Sequence, residues 1–269
     1  MRPPCGGVNA SPTPSPRAAS SGRNEWRALT RRRPPAPQRE WAYFFDLDGT
    51  LVDFADTPAG VHVSEDLCRS LERLYRDTGG AVALMSGRAV AEIDRLFPHA
   101  RLPVAGQYGL ERRGAGGTIT RHAVPARRFE RVRLRLANAV NGKAGLLLEN
   151  KGLSLALHYR RAPRLAAYAH RLARSMLPVV GRQFCIQRGK YVVEMRPAGK
   201  DKGVGIREFM KEEPFRGRTA IFVGDDASDE VGFAAVNGLG GHSIKVGPGR
   251  TVARWRLPNV TAVRGWLDS

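Results

Sequence analysis

The chain has 269 residues, 42% hydrophobic and 26% charged, with 44 Lys and Arg against 25 Asp and Glu for a formal charge of +19. That length suits one large domain or two modest ones with buried cores, and the charge favours anionic partners. No zinc-finger spacing or aromatic RNA-binding signature marks a nucleic-acid module, and no apolar stretch nears the roughly 20 residues of a membrane span.

Residues 1–40 stand apart. Pro, Ser, Ala and Arg dominate, as in Ser11-Pro12-Thr13-Pro14-Ser15-Pro16 and Arg31-Arg32-Arg33-Pro34-Pro35. So few large apolar side chains cannot offset the entropy of ordering, and a disordered basic tail is expected. It lacks the apolar stretch of a secretory signal. Cys5, Cys68 and Cys185 are scattered, with neither metal spacing nor a disulfide framework, which fits a reducing cytoplasm. A soluble cytoplasmic protein, with a monomer favoured, is expected.

From Trp41 strands and helices alternate. The apolar run 42–47 reads as a strand, and an extended loop follows through Asp53–Val63. Ser64 is placed as an N-cap ahead of Leu67, Leu71 and Leu74 on one helical face. Gly79-Gly80 stops that helix, and Ala81–Met85 reads as a buried strand leading into Ser86-Gly87-Arg88. A helix carrying Val90, Ile93, Leu96 and Phe97 stops at Pro98, and Leu102–Ala105 reads as a third strand. Such alternation implies a parallel sheet with right-handed crossovers, whose chemistry gathers at the strands' carboxyl ends.

Residues 113–197 change character. An arginine-rich helix is expected over 125–141, strands over 146–151 and 153–160, a helix over 163–177 and a strand over 191–195. The parallel pattern then returns, with a helix starting in 200–211 and a strand at 219–223 running into Gly224-Asp225-Asp226. The expectation is an α/β protein: a Rossmann-like core over 41–112 and 198–269, an α+β unit inserted at 113–197, and the tail over 1–40.

One segment carries most chemical information. In Tyr43-Phe44-Phe45-Asp46-Leu47-Asp48-Gly49-Thr50 an apolar strand ends in two carboxylates one residue apart. An unpaired ionised carboxylate is costly to desolvate, and a hard divalent cation at the strand end would relieve that cost. Ser86 ends a second strand, Lys202 opens a helix, and Asp225-Asp226-x-x-Asp229 follows a third. Each piece alone is a common loop pattern; together and in this order they resemble the motifs of the haloacid dehalogenase superfamily.

That resemblance implies phosphoryl transfer on a core of that superfamily's fold, a parallel sheet with an inserted α+β cap. Asp46 would be the nucleophile and Asp48 the general acid and base. Mg2+ would be held by Asp46, Asp225 and the main-chain carbonyl of Asp48. Ser86 and the amides near Gly49 and Gly87 would hold phosphate oxygens, and Lys202 would add a fixed positive charge. Asp226 and Asp229 would orient the metal's waters or Lys202.

A narrower resemblance, to the trehalose-phosphate phosphatases, rests on residues outside these motifs. They are Ser86-Gly87-Arg88 with Asp94 and Phe97-Pro98, Ala105-Gly106-Gln107-Tyr108-Gly109-Leu110-Glu111, Glu149–Arg160 and Val193-Glu194-Met195-Arg196-Pro197. It covers 41–269 and implies a sugar phosphate as substrate, with Arg88, Gln107, Glu149, Lys151, Arg160 and Glu194 as binding residues. A site built around hydroxyls rejects analogues that lack them. His158 is assigned a structural or orienting role, and Arg160 and Arg161 read equally well as basic surface.

Gln107-Tyr108 departs from the Asn-His or Ser-His pair usual in that family. The departure touches sugar recognition and leaves the phosphotransfer residues intact. Phosphatases of sucrose phosphate or of mannosyl- or glucosyl-3-phosphoglycerate, or a hexose phosphomutase, would share the core residues. A sugar-phosphate-binding regulator is the non-enzyme alternative, though a pure binder needs no nucleophile. Cap closure, with hinges near 111–116 and 196–200, is expected to accompany the reaction.

Overall fold

The structure, a computed structural model, describes residues 33–55 and 60–269. Strand β1 (Trp41–Phe45) is buried along its whole length. Trp41, Tyr43 and Phe45 pack on one side of it and Ala42 and Phe44 on the other, as in the middle of a sheet covered on both faces. Helix α1 (Glu65–Asp77) starts where Ser64 Oγ accepts the Leu67 amide at 3.3 Å, and it buries Leu67, Leu71 and Leu74. Then come β2 (Val82–Met85), α2 (Val90–Leu96), β3 (Val104–Gly106), β4 (Glu111–Arg113) and β5 (Ile119–Arg121).

The inserted unit holds α3 (Ala126–Val140), β6 (Leu147–Asn150), β7 (Leu155–His158), α4 (Ala166–Val180), β8 (Phe184–Gly189) and β9 (Val192–Pro197). Its sheet, ordered β6-β7-β9-β8, is antiparallel. Phe129, Val132 and Leu136 of α3 and Ala169 and Ala173 of α4 cover it, packing on Leu155, Leu157, Val193 and Met195. The chain re-enters the first unit through α5 (Lys202–Phe209), β10 (Thr219–Gly224), α6 (Glu230–Gly238), β11 (His242–Val246), β12 (Trp255–Leu257) and α7 (Val260–Leu267).

The large sheet runs β12-β11-β10-β1-β2-β3-β4-β5. The six strands from β12 to β3 are parallel, and β4 and β5 pair antiparallel at the edge. Residues of α1, α2 and α7 pack on one face and residues of α5 and α6 on the other, a doubly wound α/β core. In α5, a Cβ at Gly203 would lie 2.5 Å from the Val231 carbonyl oxygen, so glycine there lets α5 lie close against α6.

Three expectations shift. The large sheet continues through Arg121, because Glu111–Arg113 pairs with Ile119–Arg121; the inserted layer begins after that hairpin, later than 112/113. The hinge expected at 111–116 therefore falls within this hairpin, 111–113 in its first strand and 114–116 in its turn. Phe184–Gly189 adds a strand that its polar Gln187 and Arg188 conceal from a hydrophobic pattern. The end of the expected tail also packs on the core: Pro34 is buried and the Pro35 carbonyl accepts Trp266 Nε1–H at 2.8 Å. Tyr43 Oη accepts the Gln38 amide at 2.6 Å. Aromatic side chains with polar tips thus give this proline-rich stretch partners that composition does not reveal. The rest of the tail, residues 1–32, lies outside the described residues.

Candidate active site

The parallel strands bring the acids together. Asp46 follows β1 and its amide donates to Val223 O of β10 at 2.9 Å, so the ends of β1 and β10 sit level. Asp225 and Asp226 follow β10, and Ser86 follows β2. Carboxylate oxygens of Asp46, Asp225 and Asp229 all lie within 4.8 Å of one another, a group able to hold a metal ion. Gly49 has φ of +86°, and a Cβ there would lie 2.4 Å from Asp225 Oδ2, so only glycine lets the first loop approach this acid. Thr50 Oγ1 donates to Asp225 Oδ1 at 3.3 Å.

Lys202 is the counter-charge. Asp201 caps α5 by accepting the Val204 amide at 2.7 Å, which fixes Lys202 in the first turn. Its Nζ lies 2.8 Å from Asp46 Oδ1 and 2.6 Å from Asp229 Oδ1, with 2% of the side chain exposed. Asp229 Oδ2 accepts the amides of Asp225 and Asp226, each at 2.9 Å. Both Asp229 oxygens are therefore occupied, and this acid orients Lys202 and the loop after β10.

Lys202 alone does not balance the buried carboxylates of Asp46 and Asp229 and the half-buried one of Asp225. Burial and the charge of Asp229 push Asp46 well above the usual range against the pull of Lys202. Burial with Asp229 and Asp226 pushes Asp225 to about 7, and burial raises Asp229 despite Lys202. Burial works against the Lys202 charge, but Asp229 and Asp46 outweigh it and hold the ammonium protonated. Lys245, which sequence reasoning missed, donates to the Asp225 main-chain carbonyl; burial lowers its pKa. A divalent cation would supply the positive charge this oxygen-rich group lacks.

Above the acids a cavity of about 360 Å³ opens between the two units, within the range of small-molecule sites. Asp46, Asp48, Gly87, Arg88, Lys202 and Asp226 line it from the core. Glu149, Lys151, His158 and Arg160 line it from the inserted unit. Glu149 Oε2 pairs with His158 Nε2 at 2.7 Å, so His158 orients that carboxylate. Burial opposes the Glu149 charge, but this bond and Lys151 outweigh it and lower its pKa. Arg160 lies over the rings of Phe54 (5.7 Å) and Tyr191 (5.5 Å), and Lys190 over Phe54 (4.3 Å), forming one lip of the cleft.

The expected residues take unequal positions. Arg88 grips the Asp48 carboxylate with two bonds of 2.7 Å, from Nε and Nη2. Ser86 is buried, and its Oγ accepts the Arg88 amide at 3.1 Å. Gln107 and Glu194 stand behind the cavity wall. Gln107 Nε2 donates to Lys151 O at 2.9 Å, and Ser154 Oγ lies within reach of both Gln107 Oε1 (3.1 Å) and Glu194. Lys151 Nζ donates to Gly87 O at 2.9 Å and pairs with Glu194 at 3.3 Å. Burial disfavours the Lys151 ammonium, but Glu194 and Glu149 keep its pKa raised. This buried network ties the inserted unit to the core; its centre, Ser154, carried no signal beyond its place in the 149–160 stretch.

Tyr108 also faces the cavity. Burial, reinforced by Glu194, pushes its phenol well above the usual tyrosine range, so the hydroxyl keeps its proton. Among the described residues no helix is long and apolar enough to cross a membrane.

Comparison with known proteins agrees with this arrangement. The trehalose-phosphatase family model matches residues 44–258. The trehalose-6-phosphate phosphatase of Escherichia coli (strain K12) is 42% identical over 234 residues, 87% of this chain and 88% of that protein. A probable trehalose-phosphate phosphatase of Sinorhizobium fredii is 43% identical over 227 residues, covering 84% and 85%. In fold, the C-terminal domain of C. albicans trehalose-6-phosphate phosphatase superposes with a TM-score of 0.76 at 22% identity, covering 87% of this chain and 96% of that one. A trehalose-6-phosphate phosphatase related protein superposes at 0.68 with 26% identity, covering 84% and 95%. With its acids at the carboxyl ends of β1 and β10 and a second sheet closing over them, the chain belongs to the trehalose-phosphatase family.

Proposed function

We propose that the protein is a Mg2+-dependent phosphatase that hydrolyses trehalose 6-phosphate to trehalose and phosphate through an aspartyl-phosphate on Asp46. The carrying observation is the shared cavity, with Asp46 and Lys202 on its floor and Glu149, Lys151 and His158 on its roof. Asp46 and Asp225, with the Asp48 main-chain carbonyl, would hold Mg2+, which when bound neutralises phosphate charge.

The Asp46 carboxylate attacks phosphorus while the bond to the sugar oxygen breaks, and Asp48 gives that oxygen its proton. Water then attacks the acyl-phosphate, Asp48 takes a proton back, and Asp46 is regenerated with release of phosphate. Lys202, 2.8 Å from Asp46, holds the nucleophile and offers a positive charge to the phosphoryl group. Arg88 holds both Asp48 oxygens in this structure, and in this reading the pair opens as substrate binds, freeing Asp48 to carry the proton. Ser86 and the amides near Gly49 and Gly87 complete the phosphate site, and Asp226 and Asp229 steady it.

Glu149, Lys151 and Arg160 read the sugar: the carboxylate accepts from a polyol, and the ammonium and guanidinium groups donate to it. Glu194, expected among them, is buried behind the wall and holds Lys151 and Ser154 instead. The second unit, taken as 113–197 from sequence and starting after Arg121 in the large sheet's pairing, acts as a cap that opens for product release. Gln107 belongs to the closure contacts in this reading. The protein is taken to work in the cytoplasm as a monomer, on a small metabolite and without nucleic acid or membrane.

A panel of trehalose 6-phosphate, sucrose 6-phosphate, glucose 6-phosphate and p-nitrophenyl phosphate, assayed for phosphate release with Mg2+, tests the substrate. Trehalose 6-phosphate is expected to give a kcat/KM at least about 100-fold above the others, the scale of two or three sugar hydrogen bonds. Equal rates for all four would reduce the reading to a general phosphatase.

A further inference from the structure

Gln107 and Tyr108 both adopt left-handed backbone conformations, with φ of 46° and 59°. Side chains other than glycine visit this region rarely, and bulky ones least of all. The surroundings hold them there. The Gln107 amide donates to Arg88 O at 2.8 Å and the Tyr108 amide to Ser86 O at 2.9 Å, while the Gln107 side chain hooks the cap at Lys151 O. A backbone conformation maintained against its own preference is best explained by where it sends a side chain.

It sends Tyr108 across Gly87. A Cβ at Gly87 would lie 2.7 Å from Tyr108 Oη, so the phenol sits directly over that residue. The Arg196 guanidinium lies 5.1 Å from the ring centroid and is itself tied to Gln187 Oε1 at 3.1 Å and to the Lys200 carbonyl. The ring is thus fixed. Its hydroxyl has no hydrogen-bond partner among the described residues and faces the cavity. From the cap side Lys151 Nζ reaches Gly87 as well, at 2.9 Å from its carbonyl oxygen. Oη therefore stands where the turn after β2, which takes phosphate in the reading above, meets the cap residues that take the sugar.

The geometry points to Tyr108 as a specificity-determining residue whose hydroxyl donates a hydrogen bond to a sugar oxygen next to the phosphate-bearing carbon. This rests on the sugar-phosphatase reading and adds a contact to it. A donor at this point complements the carboxylates. Glu149, which lines the cavity, can only accept from hydroxyls, whereas Tyr108 reads the same sugar's lone pairs. An ester without a sugar has no such oxygen to offer.

The test is Tyr108→Phe, which keeps the ring and its contact with Arg196 and removes only the hydroxyl. The measured quantity is the ratio of kcat/KM for trehalose 6-phosphate to that for p-nitrophenyl phosphate, with a thermal melt to verify the fold. The ratio is expected to fall about tenfold, mainly through a higher KM for the sugar phosphate. An unchanged ratio overturns the assignment, whether both substrates lose equally or neither is affected. If the wild-type protein prefers another sugar phosphate, the trehalose reading fails separately, and the same ratio taken with that ester decides the role of Tyr108.

Discussion

Asp46→Asn is predicted to lower phosphate release by about 10⁴-fold or more, the scale of removing a covalent nucleophile, and to leave a folded protein. Asparagine keeps the shape of the side chain but cannot form the acyl-phosphate. Folding should survive because Asp46 is not a comfortable charge: burial and Asp229 already oppose its ionisation. Lys202 keeps its 2.6 Å bond to Asp229 in the variant, so no buried ammonium is stranded. Phosphate assays alongside thermal melts separate the two effects. A variant retaining near wild-type turnover would refute the covalent route, and one that fails to fold would show that the charge is structural.

Chelation with EDTA is predicted to bring phosphate release down to background and to make stability fall as pH rises. The sign follows from the cluster. Asp225 is raised from its ordinary 3.8 to about 7, and Asp46 and Asp229 shift the same way. Below about pH 4 both the folded and unfolded chains hold these protons. Between there and about 7 the unfolded chain ionises freely and the folded one resists, so stability present in acid is lost as pH rises through the folded value. Mg2+ should reverse the loss by favouring the ionised acids, adding about 2.7 kcal/mol at a hundredfold excess over its Kd. Melts at pH 5 and pH 8, with EDTA or Mg2+, measure this, and the difference between wild type and Asp46→Asn isolates one member of the cluster. If Mg2+ leaves the melting temperature unchanged at pH 8, the acids are not a metal site.

What was legible in the sequence follows from how local each signal is. Trp41–Phe45 announces itself as a central strand because it is apolar on both faces, and the acids after it stand out against that run. The same holds for Thr219–Gly224 before Asp225. Ile119–Arg121 gives no such signal: it is an exposed edge strand whose existence depends on pairing with Glu111–Arg113. Partner choice is harder still. Asp48 and Arg88 meet across 40 residues, and Gln107, Ser154 and Glu194 converge from three separate segments. No periodicity encodes those meetings: the first is set by β1 and β2 ending side by side, the other by the way the second sheet comes down on the first. Tyr108 was visible as an unusual residue in its motif, but its meaning depends on a positive φ and on the missing side chain of Gly87.

The division of work between Asp46 and Asp48 can be read chemically. The protein would be mixed with trehalose 6-phosphate and Mg2+, quenched in acid within the first turnovers and treated with borohydride, which reduces an acyl-phosphate to the alcohol. Peptide mass analysis should find homoserine in place of aspartate at position 46 and nowhere else. Modification at Asp48, or steady phosphate release with neither residue ever reduced, would contradict the mechanism.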